Sequence, residues 1–165
     1  NVDLKGAEEL GVWVWNAPTG NYQSAAEMAL ALLFSVARKT VNATVGANNG
    51  KWMKKELGTA GRQLQGSTLG LYGAGNIGMR MAKMCAGIGM HVQICDPMYK
   101  GGEFKKVELA ELLASSDAIS IHAPLLDSTK HVFNIDAFRK MKKTAMFINA
   151  ARGGVAKDAD ILQAL

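Results

Sequence analysis

Residues 69–78 read Leu-Gly-Leu-Tyr-Gly-Ala-Gly-Asn-Ile-Gly and predict a strand, a tight turn and the start of a helix. The glycines of the turn, Gly73, Gly75 and Gly78, have the spacing Gly-x-Gly-x-x-Gly. Gly73 permits the bend, Gly75 lets backbone N–H groups approach a pyrophosphate, and Gly78 lets the helix lie close to the strand. Because unpaired N–H groups at a helix N-terminus favour anions, this stretch predicts a phosphate-binding turn.

An acidic residue follows the next predicted strand at the spacing that a dinucleotide site requires. That strand covers residues 91–95, and Asp96 comes eighteen residues after Gly78, close to the distance at which a carboxylate reaches the adenosine ribose hydroxyls. Asp96 would repel a 2′-phosphate, and no arginine directly follows it, so NAD is predicted rather than NADP. The alternative is an ordinary strand–helix turn in which Asp96 only caps backbone N–H groups.

The composition sets limits on the class of protein. The 165 residues are 48% hydrophobic and 20% charged, which is typical of a soluble globular domain. The chain has no apolar run of eighteen residues and no signal peptide, so we expect no membrane partner and a cytoplasmic location. Cys85 and Cys95 predict buried, reduced thiols and no metal site. The net charge of +5 comes from scattered basic residues, which favours an anionic small ligand over nucleic acid.

Strand and helix patterns alternate after the glycine turn. Strands are predicted at residues 91–95, 117–122 and 145–148, and helices at 107–114, at 136–141 and from Asp158 onward. Mostly apolar strands separated by helices predict an α/β fold with a doubly wound parallel sheet of the Rossmann type. Ligands of such sheets bind beyond the carboxyl ends of the strands, so the segments that follow the strands hold the candidate site.

The first residues do not fit this alternation. A short helix is predicted at residues 3–10 and is stopped by Gly11, and every residue of the strand predicted at 12–15 is apolar. Such a strand needs cover on both faces, and nothing nearby in the sequence supplies it. We therefore expect residues 1–18 to be the remnant of a second, substrate-binding domain, followed by a dinucleotide-binding domain at 19–165 that is truncated at its C-terminus.

A long apolar helix is predicted between these regions. Ser24-Ala-Ala-Glu27 is a capping-box pattern that opens a helix through about Thr40. Residues 43–66 are polar and glycine-rich and predict a connection anchored by Trp52. The apolar helix and the Trp52 loop predict the surface of a homodimer or a higher homo-oligomer.

Arg152 is the most informative single residue. It follows the apolar strand at 145–148, comes after two alanines and precedes two glycines. The arginine fork binds a carboxylate bidentately and stays charged at any working pH. Arg152 is therefore a candidate for binding a carboxylate at the ligand edge of the sheet, and the alternative is a surface arginine paired with a neighbouring helix.

The combination of motifs resembles the NAD-binding domain of the D-isomer-specific 2-hydroxyacid dehydrogenases. The matching stretches are Ser24-Ala-Ala-Glu27, Gly73-Ala-Gly-Asn-Ile-Gly78, Cys95-Asp-Pro97, His122-Ala-Pro-Leu125 with Thr129, and Ile148-Asn-Ala-Ala-Arg-Gly-Gly154. Within the family, Gly20-Asn-x-x-Ser-Ala-Ala-Glu27 and Lys51-Trp52 look most like the D-3-phosphoglycerate dehydrogenases. The resemblance implies hydride transfer between NAD and a D-2-hydroxy acid, with 3-phosphoglycerate, and hence serine biosynthesis, as the first expectation.

The resemblance also implies a role for each matching position. Asn76 and Ile77 would cap the pyrophosphate, and Asp96 would hold the adenosine ribose. The remaining implied cofactor contacts are the wall residues His122, Ala123 and Pro124, the loop residue Thr129, and Ala150 and Ala151 beside the nicotinamide. Arg152 would be the catalytic residue that holds the substrate carboxylate and the 2-oxo oxygen, and it is also an implied cofactor contact.

The catalytic pair of the family has no match in this sequence. That pair is a histidine acid/base and a glutamate that orients it, whereas His91 starts a strand, His131 lies in a polar connection and His122 fits a wall position. This chain alone is therefore expected to bind NADH weakly and to catalyse no measurable turnover. Two alternatives stay open: an NAD-sensing, corepressor-like protein of the same family, and another nucleotide-dependent enzyme such as a methyltransferase, which the setting of Arg152 disfavours.

Overall fold

The computed structural model describes residues 2–17 and 19–165. Within these residues, the helices are α1 (Leu4–Glu9), α2 (Tyr22–Arg38), α3 (Thr40–Asn48), α4 (Lys54–Ala60), α5 (Asn76–Gly87), α6 (Leu109–Ser115), α7 (Ile135–Lys140) and α8 (Asp158–Ala164). The strands are β1 (Thr68–Tyr72), β2 (His91–Cys95), β3 (Lys105–Lys106), β4 (Ala118–Ile121) and β5 (Met146–Asn149). A short 3₁₀ turn at Gly153–Val155 precedes α8.

The described strands form one parallel sheet in the order β3-β2-β1-β4-β5. From β1 the chain moves outward to β2 and β3, and it then returns to build β4 and β5 on the other side. The direction therefore reverses between β1 and β4, where Leu69 lies opposite Ala118 and Tyr72 lies opposite Ile121. In a doubly wound sheet, ligands bind in the crevice at this reversal. The predicted fold class is confirmed.

Helices cover both faces of the sheet. On one face, α2 packs against α5 and β5, and the side chains of Leu33 and Met81 are fully buried. On the other face, α6 packs on β1 and β2, with Leu112, Phe133 and Val155 fully buried. Because the sheet has apolar cover on both sides, its strands read as nearly continuous apolar runs, which made them visible in the sequence.

Most of the predicted elements lie where the sequence places them. The strand predicted at residues 91–95 is β2, and α1, β4, β5, α6 and α7 begin and end within two residues of their predictions. The last helix begins at Asp158, as predicted, and Lys157 holds its N-cap position. The sequence does not predict β3, which has only two residues.

The strand predicted at residues 12–15 is wrong, since these residues are not in a strand. In the described part of the chain, no strand pairs with them, and an isolated strand leaves its backbone N–H and C=O groups without partners. Trp13 and Trp15 are each 83% exposed, and their rings stack with centroids 6.2 Å apart. Asn1 and Pro18, at the two ends of the predicted remnant, lie outside the described residues.

The long apolar helix begins earlier than its predicted capping box. Asn21 holds the N-cap position of α2, and Ser24 lies inside the first turn, where its Oγ donates to the carbonyl oxygen of Asn21. The side chain of Glu27 accepts a hydrogen bond from Gln23 Nε2 at 2.8 Å. The reciprocal bonds of a capping box are absent between Ser24 and Glu27, so that prediction is wrong.

The segment after α2 is more helical than the sequence predicts. Lys39 has a left-handed φ of 55° and separates α2 from α3, so the long helix ends before Thr40. Most of α3 and all of α4 fall within residues 43–66, where the sequence predicts a connection. Trp52, the predicted anchor, is 86% exposed. Among the described helices, none alone is long and apolar enough to cross a membrane; α2 and α3 meet the criteria only as a pair bent by 69°.

Candidate dinucleotide-binding site

The glycine turn joins β1 to α5 at the point where the sheet reverses direction. Gly73 has a φ of +100°, and a Cβ at this position would lie 2.6 Å from the backbone nitrogen of Ala123. The turn after β1 therefore touches the segment that follows β4. A Cβ on Gly78 would collide with the carbonyl oxygen of Gly73, so α5 can begin directly against the turn only with glycine there.

Gly75 leaves the N-terminus of α5 open. It holds the N-cap position of that helix, and no atom outside its chain neighbours lies within 4 Å of the place that a Cβ would occupy. Asn76 is exposed and Ile77 is half-buried. The first N–H groups of a helix have no acceptor within the helix. This end of α5 therefore presents donors and free space, and it fits a pyrophosphate.

Asp96 connects the end of β2 to the glycine turn. Its Oδ2 accepts a hydrogen bond from Ala74 N at 2.6 Å, and its Oδ1 accepts from Met98 N at 2.6 Å and from Tyr99 N at 3.2 Å. The carboxylate thus caps backbone N–H groups, as the alternative reading predicts, and it also lies beside the phosphate turn. Because a carboxylate offers about four acceptor positions, these three bonds leave capacity for a ribose hydroxyl.

His122 lies between the end of β4 and the glycine turn. Its Nε2 shares a hydrogen bond of 2.9 Å with the hydroxyl of Ser120, which is fully buried. A Cβ at Gly78 would lie 3.3 Å from the Cβ of His122. Burial lowers the pKa of His122 to about 4, so its imidazole is neutral at neutral pH. A neutral ring held in this way suits a wall residue and carries no proton to donate as an imidazolium.

The loop after β4 is held together by its own hydrogen bonds. Ala123 is buried and Pro124 is exposed. Thr129 Oγ1 donates to the carbonyl oxygen of Pro124 at 2.6 Å and accepts from Leu126 N at 2.8 Å. The Thr129 hydroxyl therefore closes this loop on itself, and its contact with a cofactor stays a prediction.

Arg152 lies in the loop that follows β5. Its side chain is exposed, and its Nη1 donates to the carbonyl oxygen of the preceding residue, Ala151, at 3.0 Å. In residues 2–17 and 19–165, its guanidinium makes no ion pair. The alternative of an arginine paired with a neighbouring helix is thus not realised, and the guanidinium is free to pair with an anionic ligand. Ala150 and Ala151 are both half-buried.

Asn149 lies in a stretch that the sequence analysis singles out, but the sequence interpretation gives it no role. It is the last residue of β5 and lies opposite Ile121 of β4. Its Oδ1 accepts from Ala151 N at 3.1 Å, and its Nδ2 donates to the carbonyl oxygen of Arg152 at 3.0 Å. An asparagine at the end of a strand, followed by small residues, is the sequence signal for such a side-chain turn.

The candidate site spans both sides of the reversal in the sheet. Asp96 follows β2 and Arg152 follows β5, and β1 and β4 lie between these two strands. With strands about 4.8 Å apart, the ends of β2 and β5 are separated by roughly 14 Å. Only an extended ligand can contact both residues. In the part of the chain that the structure describes, no group of three or more His, Cys, Asp or Glu side chains could hold a metal ion.

These features define the class of protein. A parallel doubly wound sheet, a glycine turn at the reversal, an open helix N-terminus and an acidic residue at the end of the second strand are the features of a dinucleotide-binding domain.

The family follows from similarity to known sequences. The profile described as "D-isomer specific 2-hydroxyacid dehydrogenase, NAD binding domain" matches residues 30–165. The chain belongs to this family, as its motifs indicate, and NAD is the cofactor of the domain.

Curated relatives that are named for different 2-hydroxy or 2-oxo acids are similar to the chain. A hydroxypyruvate reductase from Thermotoga maritima is 41% identical over 156 residues, which cover 93% of this chain and 50% of that protein. A D-3-phosphoglycerate dehydrogenase from Archaeoglobus fulgidus is 37% identical over 170 residues, which cover 100% of this chain and 32% of that protein. The chain spans about half the length of the first relatives it matches, and less of the phosphoglycerate dehydrogenases.

Solved structures agree with the fold. The apo structure of D-lactate dehydrogenase from Escherichia coli superposes with a TM-score of 0.91 at 31% identity, covering 100% of this chain and 53% of that one. An NAD-dependent formate dehydrogenase from Staphylococcus aureus in complex with NAD superposes with a TM-score of 0.87 at 33% identity, covering 99% of this chain and 50% of that one.

Proposed function

We propose that this domain serves an enzyme that transfers a hydride between a D-2-hydroxy acid and NAD. The observation that carries the proposal is Arg152, an exposed guanidinium without an ion pair among the described residues, at the carboxyl end of β5. When bound, NAD supplies the hydride chemistry. The residues of the chain bind the two reactants, orient them and stabilise charge.

Arg152 is the residue that we assign to the substrate. Its planar fork matches a carboxylate, and its charge does not change with pH in the working range. A fixed positive charge beside the 2-oxo oxygen also stabilises the negative charge that develops there during reduction. The small side chains of Ala150 and Ala151 leave the neighbouring backbone accessible to a flat ring.

The cofactor contacts that we propose follow the shape of the site. The turn of Gly73, Gly75 and Gly78, with Asn76 and Ile77, would hold the pyrophosphate. Asp96 would accept hydrogen bonds from the adenosine ribose, in addition to the backbone bonds that it already makes. The proposed wall and loop contacts are His122, Ala123, Pro124 and Thr129 on one side, and Ala150 and Ala151 on the other.

The substrate that we propose first is 3-phosphoglycerate, which would place the enzyme in serine biosynthesis, in the cytoplasm. Support comes from the pattern at residues 20–27 and from Lys51-Trp52, and several relatives are D-3-phosphoglycerate dehydrogenases. Hydroxypyruvate and lactate are the competing substrates, since relatives named for them are as similar. Turnover of the complete enzyme with a panel of these acids decides among them.

Residues 1–18 are proposed to belong to a substrate-binding domain, and the acid/base histidine and its glutamate are proposed to lie elsewhere in the complete enzyme. Two observations support this. Trp13 and Trp15 are exposed although both are large and apolar, and His122 is neutral and bound to Ser120. Normal turnover in a complete enzyme whose histidines outside these 165 residues have all been replaced would contradict the proposal.

A homodimer or a higher homo-oligomer is also proposed. Its support is the set of exposed apolar side chains on neighbouring helices α2 and α3, which include Met28, Phe34 and Val45. Sedimentation equilibrium of the natural enzyme would test it. We expect Phe34→Asp and Val45→Asp to shift the enzyme toward monomer, and a monomeric unmodified enzyme would contradict the proposal.

Replacement of Arg152 tests the proposed function. Truncating one side of a desolvated charge pair costs about 2–5 kcal/mol, so Arg152→Ala should lower kcat/KM roughly thirtyfold to several thousandfold, while the NADH Kd stays within about twofold. Arg139→Ala is the control, because Arg139 is exposed and pairs only with its helix neighbour Asp136. Normal kcat/KM in Arg152→Ala would contradict the assignment. A complete protein that binds NADH but turns over no 2-hydroxy acid would favour the NAD-sensing alternative.

A further inference from the structure

We infer that Asn149 is a positioning residue for Arg152. Its side-chain amide fixes the backbone of residues 150–152, so that the guanidinium extends from a rigid base at the edge of the sheet. The inference rests on the proposed function of Arg152 and assigns a role to a residue that does not itself touch the substrate.

The amide of Asn149 makes two bonds that cross the loop. Ala151 N donates to Oδ1 at 3.1 Å, and Nδ2 donates to the carbonyl oxygen of Arg152 at 3.0 Å. A backbone N–H can only donate and a backbone carbonyl can only accept, so the side chain has a single productive orientation. Arg152 itself has an extended backbone, with φ −137° and ψ 134°.

The far end of the same loop is held by different residues. His131 N donates to the carbonyl oxygen of Gly154 at 2.9 Å, and Phe133 N donates to that of Val155 at 3.2 Å. A Cβ at Gly154 would lie 3.0 Å from the side chain of Leu125. The loop is therefore anchored after Arg152 by the segment that follows β4, and before it by Asn149.

The two bonds of the Asn149 side chain hold the backbone of the loop and leave the Arg152 guanidinium exposed. The side chain of Arg152 bonds only locally, to the carbonyl oxygen of Ala151 at 3.0 Å. Because this side chain is long, a small shift of its backbone moves the fork away from a bound carboxylate. A misplacement of about 1 Å by a distant mutation costs on the order of hundredfold in rate. The two bonds that Asn149 makes to residues 151 and 152 therefore help to hold the guanidinium where catalysis requires it.

Asn149→Ala in the complete enzyme tests the inference, with Asn134→Ala as the matched control. Asn134 is also half-buried, and its side chain also makes two hydrogen bonds to backbone, but its Oδ1 accepts both, from Asp136 N at 3.0 Å and from Ala137 N at 3.1 Å, and so caps α7. The readouts are kcat/KM with the preferred 2-oxo acid, the NADH Kd, inhibition by oxalate in the presence of NADH, and hydrogen exchange of the Ala151 amide.

The expected result separates substrate from cofactor. Asn149→Ala should lower kcat/KM and weaken oxalate inhibition by roughly tenfold to hundredfold, speed exchange of the Ala151 amide, and leave the NADH Kd within about twofold. Asn149→Ser, whose hydroxyl can keep the bond to Ala151 N more weakly, should fall between it and the wild type. Asn134→Ala should change none of these readouts.

A double-mutant cycle distinguishes failure of the inference from failure of the proposed function. If Asn149 acts through Arg152, adding Asn149→Ala to Arg152→Ala should change kcat/KM by no more than about twofold. Additive losses, unchanged exchange at Ala151, or a normal Asn149→Ala enzyme beside an impaired Arg152→Ala enzyme would overturn the inference alone. A normal Arg152→Ala enzyme would overturn the proposed function and the inference together.

Discussion

Replacement of Asp96 should weaken NADH binding and also loosen the glycine turn. Its carboxylate accepts hydrogen bonds from Ala74 N, Met98 N and Tyr99 N, and it is the residue proposed to hold the adenosine ribose. In Asp96→Ala all of these bonds are lost. In Asp96→Asn one oxygen is kept as an acceptor. The other is replaced by an amide nitrogen, which only donates and therefore cannot accept a hydrogen bond from a backbone N–H group.

The size of each effect follows from these contacts. A hydrogen bond to a charged group contributes about 1.5–3 kcal/mol, so losing the ribose bond should weaken NADH binding roughly tenfold to 150-fold. Ala74 is half-buried, and its N–H makes a partly buried bond to Asp96; an amide left without an acceptor costs about 1–3 kcal/mol. At about 2–4 °C per kcal/mol for a chain of this size, Asp96→Ala should lower the Tm by roughly 2–12 °C.

Fluorescence titration with NADH and NADPH, together with thermal unfolding, measures both effects. Asp96→Asn and Asp96→Ala should both narrow the preference for NADH, because the negative charge that repels a 2′-phosphate is gone. Asp136→Ala is the matched control, since Asp136 is exposed and pairs only with Arg139 on α7. An Asp96→Ala protein with an unchanged Tm and an NADH Kd within twofold of the wild type would refute this reasoning.

Three further predictions concern the glycine turn and the wall beside it. Gly75→Ala should have the wild-type Tm, because a Cβ there meets no atom within 4 Å. It should weaken NADH binding by roughly tenfold or more in a titration, since the Cβ occupies the space proposed for the pyrophosphate, and normal binding would contradict this. Gly78→Ala should weaken NADH binding and lower the Tm, because its Cβ would collide with the carbonyl oxygen of Gly73. An unchanged Tm would contradict this prediction. His122 has a folded pKa of about 4 against an ordinary value of 6.5, so the unfolded chain binds more protons in this range, and stability should fall by about 2–3 kcal/mol as the pH drops from 6.5 to 4. Between these pH values, the unfolding free energy should change less with pH in His122→Gln than in the wild type. The exposed control His91→Gln should follow the wild type.

The centre of the fold could be predicted because its signals are local. The glycine spacing at residues 73–78 and the apolar strands beside it determine β1, the turn, α5 and β2 with little help from the rest of the chain. The surface helices could not be predicted in the same way. Gly46 is the only buried residue that α3 contributes among the described residues, and α4 contributes none, so neither helix imprints an apolar stripe on its sequence.

The N-terminal error has a different cause. A β-strand forms only where a neighbouring strand pairs with it, and the apolar pattern at residues 12–15 does not identify a pairing partner. The role of Asn149 was missed for a related reason. Its two bonds depend on how the backbone of the next three residues turns, and the sequence shows only a polar residue between an apolar strand and two alanines. Arg152 could be singled out because its chemistry is carried by the side chain alone.

A crystal structure of the protein with NADH bound would test the proposed site most directly. We predict the pyrophosphate against the backbone N–H groups of residues 75–77, an adenosine ribose hydroxyl within hydrogen-bond distance of Asp96, and the nicotinamide beside residues 150–152 with the Arg152 guanidinium free to bind substrate. NADH bound at another edge of the sheet, or bound here with Asp96 out of reach of the ribose, would contradict the account.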